Sequence, residues 1–532
     1  MEAGLMAKQA AAVAKPNAFP ARSLGFGNSV RGGSGTSRIG FEAPASVAWR
    51  KRSIQVARQG AIRSEVVVEE KASPPRKDKA APGRLYVGLP LDVVSDGNVV
   101  NHGKAIAAGL RALALLGVDG VELPISWGVA MDSGDWSSYL AVAAMARDAG
   151  LRLRVSLHLH CHRRPRLPLP KSVDSAAATD PDILFTDRAG RRRADCLSFA
   201  VDDLPVLDGR TPMEAYEEFF RSFRLAFADF FGSVITDITI GLGPNGELRY
   251  PSFPPTGSNR FTGVGEFQCY DKYMLADLKR HAEETGSPLW GLSGPHDAPG
   301  YNQSPDFGNF FKDHGGSWET PYGQFFLSWY TGKLLSHGDG LLSVASEVFG
   351  DLPVALSAKV PLLHCWHDTR SRPSQLTAGF YNTDGRDGYE DVAKIFAKHS
   401  CTMIIPGMDL TDGEQPQGVR SCPQSLLSQV MGTCKRHGVK VAGENSSLVR
   451  VGTAGFTKIK ENVLAEKSTL DSFTYHRMGA EFFSPDHWPL FTEFIRSMAQ
   501  PEMEKDDIPS NLERLSLSIN SVPGNDRELQ SA

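Results

Sequence analysis

The sequence predicts a closed (β/α)₈ barrel, the TIM-barrel class, with long insertions in the loops that follow its strands. Two observations lead to this fold class. Eight short apolar runs of strand type alternate with helical patterns between residues 84 and 500, and such alternation favours a parallel sheet. Polar and charged residues follow directly after several of these runs, where barrels of this class place their functional groups. A doubly wound open sheet is the alternative architecture for the same alternation.

Each predicted strand is a short run rich in aliphatic or aromatic residues. The eight runs are Leu85–Leu91, Val121–Pro124, Leu151–His160, Val234–Ile240, Val354–Val360, Cys401–Pro406, Val439–Ala442 and Phe473–Met478.

The predicted helices have apolar residues at helical spacing. The helix that runs to Phe231 begins at Thr211-Pro212, which supplies a cap and a proline in the first turn. The others are Lys104–Leu116, Trp136–Arg147, Pro321–Leu335 and a last helix from Trp488.

The N-terminal segment has the composition of an organelle transit peptide. Residues 1–64 are rich in Ala, Gly and Ser and hold ten basic but only two acidic side chains. We therefore expect the protein in the chloroplast, in the plastid stroma, with a mitochondrion as the alternative. Residues 65–83 resemble a disordered linker, residues 84–500 form the predicted barrel, and residues 501–532 form a polar tail.

The charge of the remaining chain excludes one class of partner. Without the first 64 residues, the chain has 47 basic and 59 acidic residues, a formal net charge of −12. Binding to a phosphate backbone needs a basic surface, so we expect no nucleic-acid partner. No apolar run approaches the roughly 18 residues of a membrane span, so no membrane partner is expected. The seven cysteines are odd in number and widely spaced, unlike a disulfide framework.

Two glutamates follow predicted strands. Glu247 lies in a Gly- and Pro-rich turn after Val234–Ile240, and Glu444 follows Val439–Ala442. Residues after the strands of a closed barrel meet at one face, so these carboxylates are expected to face each other. Two facing carboxylates suit hydrolysis of a glycosidic bond, because one protonates the leaving oxygen while the other activates water.

Two other patterns match known signatures without the context that those signatures need. Gly241–Gly246 reads G-x-G-x-x-G, but Pro244 and the prolines that follow prevent the helix that a dinucleotide site requires. His158, His160 and His162 would share one strand face beside Cys161. A fourth ligand for zinc is not evident. We therefore expect no cofactor and no metal, and a barrel-lining His160 that hydrogen-bonds a polar ligand.

Five longer segments of the sequence are distinctive: Gly241–Pro251, Glu266–Tyr273, Trp329–Asp339, Leu376–Asn382 and Val441–Asn445. They resemble plant plastid β-amylases, a glycoside hydrolase family, and most resemble the non-catalytic chloroplast branch of that family. The resemblance implies a (β/α)₈ barrel that removes maltose from the non-reducing ends of starch α-1,4-glucans with inversion, without a metal or cofactor. It also implies Glu247 as general acid and Glu444 as general base, with sugar-contacting or supporting roles for His160, Lys359, His364, Asn445 and Arg477.

The chain also departs from the family pattern at the expected substrate site. Pro124 replaces an aspartate that holds a sugar hydroxyl, and Ser126 replaces a tryptophan. Cys161–Pro170 replaces the glycine-rich mobile lid with a shorter segment. Pro406 replaces a threonine, and Ser446–Ser447 removes a leucine. Lid closure and each sugar contact lower the barrier to reaction, so losing several together predicts a large loss of rate.

We therefore expect a β-amylase homologue with weak or lost hydrolysis, acting as a regulatory or scaffolding protein through a starch-metabolism protein or through contact with an α-1,4-glucan or maltooligosaccharide. The alternative is a functional β-amylase that uses Glu247 and Glu444. A third hypothesis is a sensor of maltose or a sugar phosphate near Arg163–Arg166.

Overall fold

The computed structural model describes residues 83–163, 166–253, 263–446, 451–464 and 470–499. The predicted transit peptide, the predicted tail and all of the predicted linker except Gly83 lie outside the described residues. The statements below concern the described part of the chain.

Eight parallel strands close into a barrel, which confirms the predicted fold class and excludes the open sheet. Each strand pairs with the next along the chain, and the last pairs with the first, with Arg84 opposite Ser472. The strands are β1 Arg84–Gly88, β2 Gly120–Ser126, β3 Arg152–His158, β4 Ile235–Ile240, β5 Ala355–Lys359, β6 Thr402–Ile405, β7 Val441–Glu444 and β8 Ser472–Tyr475.

Several strands end earlier than the sequence predicts, because the apolar runs continue into loops that still pack on the barrel. The prediction for β1 ran to Leu91, and β1 ends at Gly88. Strand β7, in contrast, begins and ends later than the predicted run Val439–Ala442. Val439 donates its N–H to the Cys434 carbonyl at the end of the preceding helix, so the strand begins at Val441 and reaches Glu444.

In the described part of the chain, twelve α-helices surround the barrel or lie in its loops. Two short antiparallel strand pairs lie in the insertion after β3: His162–Arg163 with Arg166–Leu167, and Leu184–Thr186 with Arg192–Leu197. The helices are α1 Gly103–Leu116, α2 Trp127–Ser133, α3 Ser137–Asp148, α4 Lys171–Thr179, α5 Pro212–Ala226, α6 Lys272–Glu284, α7 Pro321–Phe349, α8 Pro373–Thr377, α9 Glu390–Lys398, α10 Pro423–Arg436, α11 Thr453–Leu464 and α12 Trp488–Ala499.

Helix α7 is almost twice as long as the sequence predicts. The prediction ended at Leu335, but buried residues such as Leu341 and Val348 continue the apolar face to Phe349. Gly338 interrupts the helical pattern in the sequence. Close packing explains this glycine, since an added Cβ would lie 3.0 Å from Leu248. None of the helices that the structure describes is both long enough and apolar enough to cross a membrane.

The lower part of the barrel holds a buried polar network. The Arg154 guanidinium donates to Thr474 Oγ1 at 2.9 Å and to Ser472 Oγ at 2.7 Å, and it lies 3.5 Å from Asp237 Oδ1. A second cation contacts the same carboxylate, because Arg84 Nη1 lies 3.1 Å from Asp237 Oδ2. Burial opposes the charge of Asp237, yet the net effect of Arg154, Thr236 and Arg84 is a lowered pKa for this carboxyl. These contacts tie β1, β3, β4 and β8 together beneath the barrel mouth.

A candidate carbohydrate site at the barrel mouth

Glu444, the predicted base, is the last residue of β7 and is buried in the barrel mouth. Its Oε1 lies 2.7 Å from Lys359 Nζ at the end of β5 and 3.0 Å from His476 Nε2 just after β8. The carboxyl ends of three strands therefore bring a carboxylate, an ammonium and an imidazole into contact, as expected for the functional face of such a barrel.

The charges around Glu444 make it a weak proton acceptor. Burial works against ionisation, but His476 and Lys359 outweigh it and hold the pKa of Glu444 at about 2. A general base works best when its pKa lies near the operating pH. In this geometry the carboxylate is ionised at neutral pH but has little tendency to take a proton from water.

Lys359 also connects the base to the predicted acid. Its backbone forms a parallel bridge with Glu247, and its carbonyl accepts a hydrogen bond from Leu248 N–H at 2.8 Å. The side chain of the same residue contacts Glu444. The structure thus brings Glu247, Lys359 and Glu444 to one face of the barrel.

Glu247 is only partly buried and is engaged by an arginine two residues away. Arg249 Nε donates to Glu247 Oε2 at 2.6 Å, and Arg249 itself is buried. Glu247 follows a tight turn in which Asn245 and Gly246 both have positive φ. The turn directs the carboxylate toward Arg249, so the predicted acid and base each contact a cation.

His160 lies beside the turn that carries Glu247. An added Cβ at Gly246 would stand 3.9 Å from His160 Cε1, and the His160 ring is 5.3 Å from that of His158. Both histidines are buried. The position at the mouth agrees with the predicted barrel-lining role, although the ligand that His160 would bind remains a prediction.

Asn445 and Arg477 support the mouth through backbone contacts. The Asn445 side chain donates to the His476 carbonyl at 3.0 Å and accepts from His476 N–H at 2.7 Å. Arg477 Nη1 donates to the Leu89 carbonyl at 2.8 Å. Both residues are therefore well placed to orient the segment after β8, and direct contact with a sugar is still a prediction for each.

His364 lies in the loop after β5 and contacts the segment that precedes α10. Its Nδ1 lies 2.6 Å from Ser421 Oγ, and its carbonyl accepts a hydrogen bond from Cys422 N–H at 3.2 Å. Burial lowers the pKa of His364 to about 4. The imidazole is thus neutral at physiological pH, a form that can both donate and accept hydrogen bonds.

Two residues of the cluster, Glu122 and His476, were missed by the sequence analysis. Glu122 lies in β2 and is 1% exposed. Its Oε1 accepts a hydrogen bond from Ser156 and lies 3.8 Å from Lys359 Nζ, and its Oε2 lies 3.5 Å from His476 Nε2. A charged residue inside an otherwise apolar predicted strand was the available signal, since a glutamate is almost never fully buried unless paired.

The segment that replaces the lid is packed onto the protein. Leu167 and Leu169 are buried, and the Cys161 N–H donates to the Asp195 carbonyl at 3.0 Å. An added Cβ at Gly128 would overlap the Pro168 carbonyl, which shows how closely this segment lies against α2. Residues 167–169 of the segment are therefore packed against the barrel and α2.

The two replacements in β2 have different consequences. Pro124 lies two residues after Glu122 and opposite Ser156, so it shares the inward face on which Glu122 and Ser156 meet. Position 124 itself offers no carboxylate to hold a sugar hydroxyl. Ser126 instead begins α2, where its Oγ accepts a hydrogen bond from Val129 N–H.

The loop after β6 is tied to the loop after β7. Met408 N–H donates to the Glu444 carbonyl at 3.0 Å. Ser446 donates to Asp409 twice, from its N–H at 2.6 Å and from its hydroxyl at 2.7 Å. Burial raises the pKa of Asp409 despite these two bonds. The serine that departs from the family pattern thus fastens the inner loop beside the base.

Comparisons with known proteins agree with this geometry. Residues 86–503 match the family described as glycosyl hydrolase family 14. "Inactive beta-amylase 9" of Arabidopsis thaliana is 51% identical over 503 residues, 92% of each chain. "Beta-amylase 2, chloroplastic" of Oryza sativa subsp. japonica is 41% identical, covering 78% of this chain and 77% of the relative. The catalytic domain of a β-amylase from Paenibacillus polymyxa superposes with a TM-score of 0.65 at 25% identity, covering 79% of this chain and all of that domain.

Proposed function

The chain belongs to glycosyl hydrolase family 14, and we propose that it serves plastid starch metabolism as a regulatory or scaffolding protein with little or no hydrolysis of α-1,4-glucans. It is a β-amylase-like protein by sequence and fold. The proposal concerns what this barrel does with the site that it retains.

One observation carries the proposal: the segment in place of the lid is packed against α2 through Pro168 and Leu169, and its Leu167 is buried. A closing lid excludes water and completes a catalytic site, and such positioning supplies a large part of the rate. A wall that is already packed provides no comparable closure. Binding of a glucan end remains possible in this geometry, whereas closure around the transition state is lost.

Two features of the site support the same conclusion. Glu444 has a pKa of about 2 because His476 and Lys359 overcome the effect of burial, so it is a weak base. Pro124 and Pro406 stand where the family pattern supplies a carboxylate and a hydroxyl. Each lost hydrogen bond to a sugar is worth about 1–3 kcal/mol, and losses at one site act together.

The relatives and the N-terminal composition support the biological setting. The Arabidopsis relative is named inactive, and two rice relatives and a second Arabidopsis relative are named chloroplastic. Residues 1–64 have the basic, acid-poor composition of a transit peptide. We infer a plastid protein that contacts an α-1,4-glucan, a maltooligosaccharide or a protein of starch metabolism.

The test is maltose release from soluble starch and maltoheptaose by the full chain, beside Glu247→Gln and Glu444→Gln. We expect the wild type and both variants to give the same background, far below the roughly 1–10³ turnovers per second typical of enzymes. Release by the wild type that either substitution abolishes would instead establish the alternative, a functional β-amylase.

A binding measurement separates glucan contact from a purely protein-directed role. Titration of maltoheptaose into the wild type should give heat that Arg477→Met reduces, because Arg477 lies at the mouth beside Leu89. The matched control is Arg152→Met, an exposed arginine at the far end of β3. If no heat is seen at millimolar oligosaccharide, the glucan part of the proposal is wrong.

A further inference from the structure

Three metal-ligating side chains converge in the barrel mouth. Glu122, Glu444 and His476 each offer one ligand atom, and these atoms all lie within 4.8 Å of one another. Each of the three side chains is at most 6% exposed. The sequence analysis expected no metal and considered only the histidines around Cys161, whereas the tertiary structure assembles a different set from β2, β7 and the segment after β8.

The separations of the imidazole nitrogen from the two carboxylates match those between ligands of one small ion. Ligands about 2.0–2.1 Å from a tetrahedral Zn²⁺ stand about 3.3 Å from one another. His476 Nε2 lies 3.0 Å from Glu444 Oε1 and 3.5 Å from Glu122 Oε2. The imidazole nitrogen thus already has the ligand-to-ligand separations of such a centre.

Glu122 shows that the cluster has unused binding capacity. Its Oε1 accepts from Ser156, but its Oε2 accepts no hydrogen bond from any residue that the structure describes. That oxygen is directed toward His476, and Arg477 Nη1 lies 4.0 Å away. A carboxylate oxygen buried without a hydrogen bond is costly, and a cation held at this point would satisfy it.

Lys359, the ammonium that lies among these side chains, satisfies the Glu122 carboxylate only incompletely. Lys359 Nζ contacts Glu444 Oε1 at 2.7 Å but stands 3.8 Å from Glu122 Oε1. The Lys359 side chain is 10% exposed and is thus more exposed than the side chains of Glu122, Glu444 and His476. A metal ion bound between the two carboxylates would take over the charge balance that Lys359 provides in this structure.

We propose that Glu122, Glu444 and His476 bind one divalent transition-metal ion of the Zn²⁺ type in the barrel mouth, in competition with the Lys359 ammonium. A mixed nitrogen and carboxylate set of three ligands suits Zn²⁺, whereas Mg²⁺ and Ca²⁺ prefer all-oxygen sites with more ligands. The bound ion engages Glu444 Oε1 and joins the mouth ends of β2, β7 and β8. This goes beyond the proposed function and does not depend on whether hydrolysis is lost.

The experiment is calorimetric titration of ZnCl₂ into the chelator-treated full chain. We expect one ion per chain, with affinity reduced at least about tenfold by Glu122→Gln and by His476→Asn, since even outer-shell changes cost 10–100-fold. Lys359→Met should increase the affinity because it removes the competing cation. Co²⁺ should give a visible absorption spectrum of low-symmetry coordination that Glu122→Gln abolishes.

Two histidines that also contact a carboxylate supply the matched control. His437 contacts Glu390, and His399 contacts Asp339, and both pairs lie outside the mouth. Binding that is lost in His437→Gln or His399→Gln but kept in Glu122→Gln would be adventitious and would overturn the proposal, as would no stoichiometric binding. If Glu122→Gln fails to melt cooperatively, the opposite expected effects of His476→Asn and Lys359→Met decide the question.

Discussion

Lys359 Nζ lies 2.7 Å from Glu444 Oε1, and the backbone of the same lysine pairs with Glu247. One residue at the end of β5 therefore positions both carboxylates that the sequence identifies as an acid and base pair. The contact also lowers the proton affinity of one of them. The presence of Glu247 and Glu444 at these positions is thus compatible with a site whose side chains mainly stabilise one another.

Replacing Lys359 should destabilise the fold. Lys359→Met leaves Glu444 buried without its ammonium, and breaking a buried ion pair in this way costs about 3–5 kcal/mol of unfolding free energy. Urea unfolding at pH 7 measures this loss. Lys440→Met, at an exposed lysine just before β7, is the control and should change stability by no more than about 0.5 kcal/mol.

The unfolding free energy that Lys359→Met loses should depend on pH in a definite direction. The pKa of Glu444 is about 2 in the fold against an ordinary 4.5, so its stabilising contribution is present above pH 4.5 and is lost as the pH falls toward 2. The gap between wild type and Lys359→Met should narrow over this range. Adding Glu444→Gln to Lys359→Met should recover part of the stability, and strictly additive effects would show that the pair is not coupled.

Ser446→Ala should loosen the inner loop. The substitution removes the hydroxyl bond to the Asp409 carboxylate, and hydrogen bonds to charged groups contribute about 1.5–3 kcal/mol. The pKa of Asp409, already raised by burial, should rise further. Urea unfolding at pH 7 measures the cost. Ser428→Ala, on the exposed face of α10, is the matched serine control, and equal effects of the two would contradict a special role for Ser446.

The stability of the Asp271→Asn variant relative to the wild type should increase as the pH rises. Burial raises the pKa of Asp271, the cap of α6, to about 7 from an ordinary 3.8. The folded state therefore binds a proton that the unfolded state lacks between these values, and stability falls as the pH rises through them. Asparagine keeps the capping oxygen without the charge. Between pH 5 and 8 the variant should gain about 1–3 kcal/mol relative to wild type in denaturant unfolding, and a constant difference would contradict this.

Arg154→Met tests the network beneath the mouth. Arg154 is 1% exposed and serves Thr474, Ser472 and Asp237, so its loss leaves buried acceptors without donors. Asp237 keeps Arg84 as a partner, which places the expected loss near the lower end of the range for a broken buried pair, about 3 kcal/mol. Arg152→Met, at the exposed start of the same strand, should be nearly neutral in thermal or urea unfolding.

The candidate site was only partly visible in the sequence. Glu247 and Glu444 could be found because each follows an apolar run, and Asn445 and Arg477 because the family resemblance implies roles for them. Glu122 and His476 belong to the same cluster, but the only local signal was the charge of Glu122 inside an otherwise apolar predicted strand. Their importance arises from contacts across the barrel between β2, β7 and β8, and sequence spacing does not report such contacts.

The sequence by itself determined the barrel, because the alternation of apolar runs and amphipathic helices is a local pattern that repeats eight times. It also determined which family positions are altered. Only the tertiary structure showed that Lys359 contacts Glu444 more closely than Glu122. It alone also showed that the segment after β3 is packed against α2. These outcomes depend on distances and burial among residues hundreds of positions apart, because Coulomb energies and close packing act through space rather than along the chain.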